Sequence, residues 1–281
     1  MPFKTILSPE QLYDRLGDPD LIVVDCRHSL GDLALGRRLY DESHLPGAFF
    51  ASLEDDLSGT PTGTNGRHPL PDPEDFAGFL RGIGVSDMTQ LVAYDSGGDM
   101  FAPRLWFLAR WIGHDAVAVL DGGFAAWCAR DYPLTATPAS ASREGTLTIH
   151  PHPEYLVDAG YVLAHLGSEM QLVDARARER FSGETEPIDR VGGHIPGATN
   201  RWFKENFDGE GRLKPAAELR AEFARAGLDA ERTVHQCGSG VSAAANNLAM
   251  VHAGLEGSRL YNGSWSEWVS DPSRPVAKGS A

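Results

Sequence analysis

The feature that most constrains this chain is that it is written twice. Residues 21–27 read "LIVVDCR", a short β-rich apolar run closing on Asp and Arg, and residues 170–176 read "MQLVDAR". Downstream of each comes a related turn, "SHLPGAFF" at 43–50 and "GHIPGATN" at 193–200. The interval from Asp25 to Asp174 and that from His44 to His194 differ by one residue. Two longer blocks then match in the same order. "QLVAYDSGGDMFAPRLWFLARWIG" (90–113) and "TVHQCGSGVSAAANNLAMVHAG" (233–254) each read as strand, glycine-rich loop and helix. "AVAVLDGGFAAW" (116–127) and "SRLYNGSWSEW" (258–268) each read as a strand with an aromatic close. Four blocks in one order at a nearly constant offset mean duplication, and a repeat of this length sets the fold before any single element is assigned.

Within each copy, short apolar strands alternate with helical stretches such as 72–84 and 215–227. That alternation predicts an α/β fold with a mainly parallel sheet and helices on both faces. Residues 133–154, rich in Pro, Ala, Ser and Thr and without helical period, read as a linker. The expected division is therefore a first domain over 1–132, a linker over 133–154 and a second domain over 155–281. Near the start, Ser8, Pro9 and Gln11 form a capping box that opens a helix.

A length of 281 residues suits two domains of ordinary size, and 42% hydrophobic residues suffice for two cores. The formal net charge of −14 makes the chain a poor partner for nucleic acid or an anionic membrane surface. No apolar run reaches the ~18 residues a membrane span requires. Three well-separated cysteines, Cys26, Cys128 and Cys237, form neither a disulfide framework nor a metal-ligand spacing. Free thiols suit a reducing cytoplasm, the expected location. Neither a metal nor an organic cofactor is called for.

Cys237 is the residue on which function turns. It stands at the C-terminal end of a predicted strand, just before a helix, where open α/β sheets bind ligands. Gly238 and Gly240 let the chain turn with its amides inward. Such a nest, at the start of a helix, stabilises an anion and favours the thiolate. Cys26, inside an apolar strand, and Cys128, behind Trp127, read instead as packing residues. Aligned on the repeat, Asp95 occupies the position of Cys237. A packing thiol is not readily exchanged for a carboxylate, whereas a loop-tip position is, so the first copy is expected to be inactive. Phosphatase chemistry would need Cys-x5-Arg, and that position holds Ala243. A cysteine hydrolase would want a paired His. His235, two residues before the thiol, is the neighbour in reach, and a packed role fits it better. Sulfur transfer through a persulfide remains.

At this point the residues resemble a known family. The paired "DxR…GHIPGA" blocks, "CGSGVS" and "YNGSWSEW" resemble tandem-domain sulfurtransferases of the rhodanese superfamily, over nearly the whole chain. The resemblance implies two rhodanese-like domains and a persulfide on Cys237. The loop residues Gly238, Gly240, Val241 and Ser242 would face the donor. Members that use thiosulfate carry basic residues just after the cysteine. This chain has Gly238 and Ser239, as the members that use 3-mercaptopyruvate do, and a neutral loop suits a monocarboxylate better than a dianion. The resemblance further implies that Arg180 and Arg190 bind the donor's carboxylate and carbonyl. Arginine forks suit a carboxylate and answer the repulsion of an acidic protein. Glu54 and His68, from the polar excursion 52–71, would act with Ser239 as a proton relay. Arg176, repeated as Arg27, reads as a brace, and the tryptophans of the closing blocks read as core anchors. The expected acceptor is a thiol such as thioredoxin, or cyanide. Two alternatives stay open: a thiosulfate:cyanide sulfurtransferase, and a non-catalytic persulfide carrier.

Overall fold

The computed structural model describes residues 2–280. Its strands are β1 (Ile6–Leu7), β2 (Leu21–Asp25), β3 (Phe49–Phe50), β4 (Gln90–Tyr94) and β5 (Val117–Leu120), followed by β6 (Leu156–Val157), β7 (Gln171–Asp174), β8 (Thr199–Asn200), β9 (Thr233–Gln236) and β10 (Arg259–Tyr261). They form two five-stranded sheets in the orders β1-β5-β4-β2-β3 and β6-β10-β9-β7-β8, with every pairing parallel. Corresponding strands of the two copies take corresponding places, so the sequence repeat is a repeat of topology. Parallel neighbours need crossovers, and helices supply them. The helix Ser8 caps, Pro9–Tyr13, carries both hydrogen bonds of its capping box.

The chain divides into two compact units that are not contiguous in sequence. One comprises 1–59, 71–152 and 207–213; the other comprises 60–70, 153–206 and 214–281. The Pro- and Ser-rich stretch after residue 132 lies along the first unit as far as His152. The Gly145 N–H donates to the Arg81 carbonyl at 2.8 Å, the His150 N–H to that of Ile112 at 2.8 Å, and Leu147 is buried. Residues 60–70, from the polar excursion of the first repeat, count with the second unit.

Each unit has its own core. Leu7, Val23, Val92, Leu120 and Trp127 pack together in the first. Val162, Leu172, Val234, Tyr261, Trp265 and Trp268 do so in the second. The repeated motifs explain themselves as braces. Arg27 grips Asp25 through Nε and Nη2, at 3.0 and 2.6 Å, and donates to the Ser43 carbonyl at 2.6 Å. Arg176 grips Asp174 at 3.1 and 2.6 Å and donates to the Gly193 carbonyl at 2.7 Å. Both pairs are buried, where a bidentate ion pair is geometrically specific and breaking one partner is costly. His44 stacks on Tyr40 and His194 on Phe181, each at 3.9 Å between ring centres. The glycine of each "PGA" turn is left-handed, with φ of +76° at Gly47 and +81° at Gly197. No helix among the described residues is long and apolar enough to cross a membrane.

Candidate active site

β9 lies third of five in its sheet, flanked by β7 and β10. Cys237 follows its last residue, and the helix Ser242–His252 begins five residues later. The loop between is pinned by backbone geometry. Gly240 has φ of +80°, and a Cβ there would stand 2.4 Å from the Asn262 carbonyl oxygen, so the position is closed to any side chain. With that turn made, the Gly240 N–H points back and donates to Cys237 Sγ at 3.1 Å. The thiol sits almost fully buried at 2% exposure. Its own N–H donates to Ser264 Oγ at 3.0 Å, and its carbonyl accepts from the Trp265 N–H at 3.0 Å. The Gly238 carbonyl accepts from the Ser266 N–H at 3.0 Å. The strand end, the loop and the aromatic close of the repeat are therefore one hydrogen-bonded assembly. Val241 and Ser242 are buried at the loop's passage into the helix.

The first unit builds the same loop around a different atom. Asp95, in the cysteine's place, accepts from the Gly97 N–H at 2.9 Å and from the Ala102 N–H at 3.0 Å. Its carboxylate fills the amide cradle from within. The second unit leaves that role to a sulfur.

Around the cysteine loop the second unit gathers a polar set. His68 Nδ1 and Ser239 Oγ are 2.7 Å apart. The segment carrying His68 is held by backbone contacts: the Asn262 side-chain amide donates to the His68 carbonyl at 3.2 Å, and the Arg67 N–H to Ser266 Oγ at 3.1 Å. Gly66, with φ of +87°, lets the chain pass against the Gly263 backbone; a Cβ would stand 2.8 Å from that carbonyl oxygen. Arg180 binds Glu186 through Nε and Nη2, at 3.0 and 2.8 Å, and reaches Asp189 at 3.1 Å. Burial works to raise the Glu186 carboxyl, but the hydrogen bonds from Arg180 and from the Asp189 and Ile188 N–H groups more than offset it, and it lies below the usual carboxylate range.

Of the residues expected in the site, Cys237, Gly238, Ser239, Gly240, His68 and Arg180 come together here. Arg190 is exposed, and no ion pair ties it to Glu186 or Asp189 among the described residues. Glu54 belongs to the first unit, where it lies 3.3 Å from His28 Nε2 and burial pushes its carboxyl up. His235 is fully buried, neither ring nitrogen has a hydrogen-bond partner among the described residues, and desolvation drives its pKa down to about 3. It is a neutral packed residue and no base for the thiol. Arg67 and Asp189 were not singled out by sequence. Arg67 Nη1 pairs with Asp189, and a Cβ at position 238 would stand 2.8 Å from Arg67 Nη2. The "GRH" step beside His68 was the one signal for Arg67; nothing in "EPIDR" marked Asp189.

A duplicated parallel α/β protein with one loop thiol in an amide cradle, and an aspartate filling the matching cradle, defines a narrow class. The family described as Rhodanese-like domain matches residues 8–130 and again 158–271. The chain belongs to that family, with two copies of its domain. A probable 3-mercaptopyruvate sulfurtransferase of Pseudomonas aeruginosa is 47% identical over 98% of this chain and 98% of its own length. A putative thiosulfate sulfurtransferase, SseB of Mycobacterium tuberculosis, is 36% identical over 94% of this chain and 93% of its own. The crystal structure of SseA from Escherichia coli, a 3-mercaptopyruvate sulfotransferase with the rhodanese fold, superposes with a TM-score of 0.82. It is 32% identical over 94% of this chain and 99% of that one.

Proposed function

We propose that this chain is a sulfurtransferase that takes sulfur from 3-mercaptopyruvate and delivers it to a thiol or to cyanide. The Cys237 thiolate attacks the donor's sulfur. The C–S bond breaks with its electron pair passing to carbon, the resulting enolate takes up a proton, and pyruvate leaves. The cysteine is left as a persulfide whose outer sulfur carries the charge. An acceptor thiolate or cyanide then attacks that sulfur, and Cys237 departs as thiolate. The observation that carries this reading is the Gly240 N–H aimed at Cys237 Sγ. A donor fixed on the sulfur stabilises both the thiolate and the persulfide anion.

Ser239 and His68 are assigned the proton path to the enolate, supported by their 2.7 Å contact. Glu54 enters that relay through the family resemblance alone. Arg180 is assigned to the donor's carboxylate and Arg190, also from the resemblance, to its carbonyl; Gly238, Gly240, Val241 and Ser242 line the donor's side of the loop. The first copy, 1–132, is proposed to be inactive because Asp95 satisfies its own cradle; the second, 155–281, carries the thiol. A thioredoxin-like dithiol in the cytoplasm is the proposed physiological acceptor. Thiosulfate is the second donor to be weighed, because Arg67 and Arg180 bring positive charge to a loop whose own residues are neutral.

The test is direct. Incubated with 3-mercaptopyruvate and no acceptor, the protein should gain ~32 Da, one sulfur on a cysteine. With acceptor it should release pyruvate over many turnovers. Cys237→Ser should do neither, and pyruvate release by that variant would end the proposal. A protein that gains the sulfur but never turns over would be a carrier.

A further inference from the structure

Two guanidinium groups converge on Gly238. A Cβ there would stand 2.8 Å from Arg67 Nη2 and 3.5 Å from both terminal nitrogens of Arg180. Neither Arg67 Nη2 nor Arg180 Nη1 makes a hydrogen bond among the described residues, so these N–H edges face the cysteine loop open. The opposite edges meet on one carboxylate. Asp189 takes Arg67 Nη1 on one oxygen and Arg180 Nη2 on the other at 3.1 Å. The Asp189 side chain is only 6% exposed, against 31% for Arg67 and 18% for Arg180. The arginines therefore reach the solvent side while their counter-ion sits behind them. The ion pairs around the loop join Arg67, Arg176 and Arg180 to Asp174, Glu186 and Asp189. The cations and carboxylates of this cluster cancel in formal charge.

We propose that Asp189 determines donor specificity: it holds Arg67 and Arg180 side by side at Gly238 and cancels one unit of their charge, fitting the loop to a singly charged sulfur donor over a dianion. The inference rests on the sulfurtransferase reading and goes beyond it, since it explains how a site with two arginines keeps the selectivity of a neutral loop. Burial raises the Asp189 carboxyl, and the facing Arg67 and Arg180 guanidinium groups oppose that rise. Removing one negative charge a few ångströms from the donor favours a dianion over a monoanion by one further unit interaction.

The experiment compares kcat/KM for 3-mercaptopyruvate and thiosulfate in the wild type, Asp189→Asn and Asp189→Glu. Asn keeps an acceptor for the guanidinium and loses the charge. The ratio for Asp189→Asn should move toward thiosulfate by about tenfold or more, chiefly through KM, while Asp189→Glu should keep the wild-type ratio. Should Asn prevent folding, Asp189→Ser removes the same charge in less volume. An unchanged ratio overturns the inference. So does an equal rise of KM for both donors, which would mean that Asp189 only positions the arginines. A wild-type protein that gains no sulfur mass from either donor would instead remove the sulfurtransferase reading, and this inference with it.

Discussion

Ser264 is the residue whose backbone and side chain are most clearly at odds. Its φ is +54°, left-handed, in a position where the first copy has Gly123 at +57°. A side chain there costs ~1–2 kcal/mol relative to glycine. Its hydroxyl accepts the Cys237 N–H and donates to the Tyr261 carbonyl at 2.9 Å. An orphaned buried N–H costs about 1–3 kcal/mol, enough to offset the backbone cost. Ser264→Ala keeps the cost and loses the hydroxyl, so it should lower unfolding free energy in urea by about 1–3 kcal/mol. Ser264→Gly loses the hydroxyl but relaxes the backbone, and should fall between Ala and wild type. An alanine variant as stable as wild type would show that the hydroxyl contributes nothing to holding the loop. The aligned repeats set Ser264 against Gly123; the reason for the serine appears only when the Cys237 N–H is located.

β9 leads into the thiol and bears two fully buried polar side chains, His235 and Gln236, whose polar atoms have no hydrogen-bond partner among the described residues. The strand's existence and its direction toward the loop were legible from "TVHQC", because a β-rich run before a glycine loop and a helix has few other readings. A packed role for His235 follows from the sequence; that its ring has no hydrogen-bond partner among the described residues does not, since partners come from other elements. The consequence is a pH dependence. The unfolded chain protonates His235 near 6.5, and the folded chain resists until about 3. Between those values the unfolded state binds more protons. The stability tied to this residue is therefore fully present above 6.5 and is lost as pH falls toward 3, at up to ~1.4 kcal/mol per unit. His28, His114 and His252, also lowered by burial, add slope of the same sign. His235→Leu should flatten the fall in melting temperature between pH 6.5 and 4 without removing it, and should leave stability at pH 8 equal or higher. An unchanged pH profile would mean that His235 is hydrated in solution.

Across the whole molecule the charge is −14, and the proposed donors are anions. The field at long range repels them, while the cluster at Gly238 is neutral overall. Salt screens exposed charges over about 10 Å at 0.1 M and leaves a half-buried ion-pair cluster less affected. Raising ionic strength from low salt to 0.15 M should therefore increase kcat/KM for 3-mercaptopyruvate, with kcat nearly constant. A decrease would show that Arg67 and Arg180 already dominate the approach.

The sequence by itself determined the duplication, the parallel α/β class, the paired Asp–Arg braces, the buried tryptophans and the thiol's place at a strand end. These are local patterns, and the repeat displayed each of them twice. Only the tertiary structure decided what surrounds the thiol. It set the excursion 60–70 against the second unit, so that His68 meets Ser239 and Arg67 meets Gly238. It drew Asp189 between two arginines, one of them distant in sequence. Contacts between segments more than a hundred residues apart leave no period in either segment. They are fixed by which backbones can approach, here at Gly66 and Gly240, and that depends on the packing of every strand beneath them.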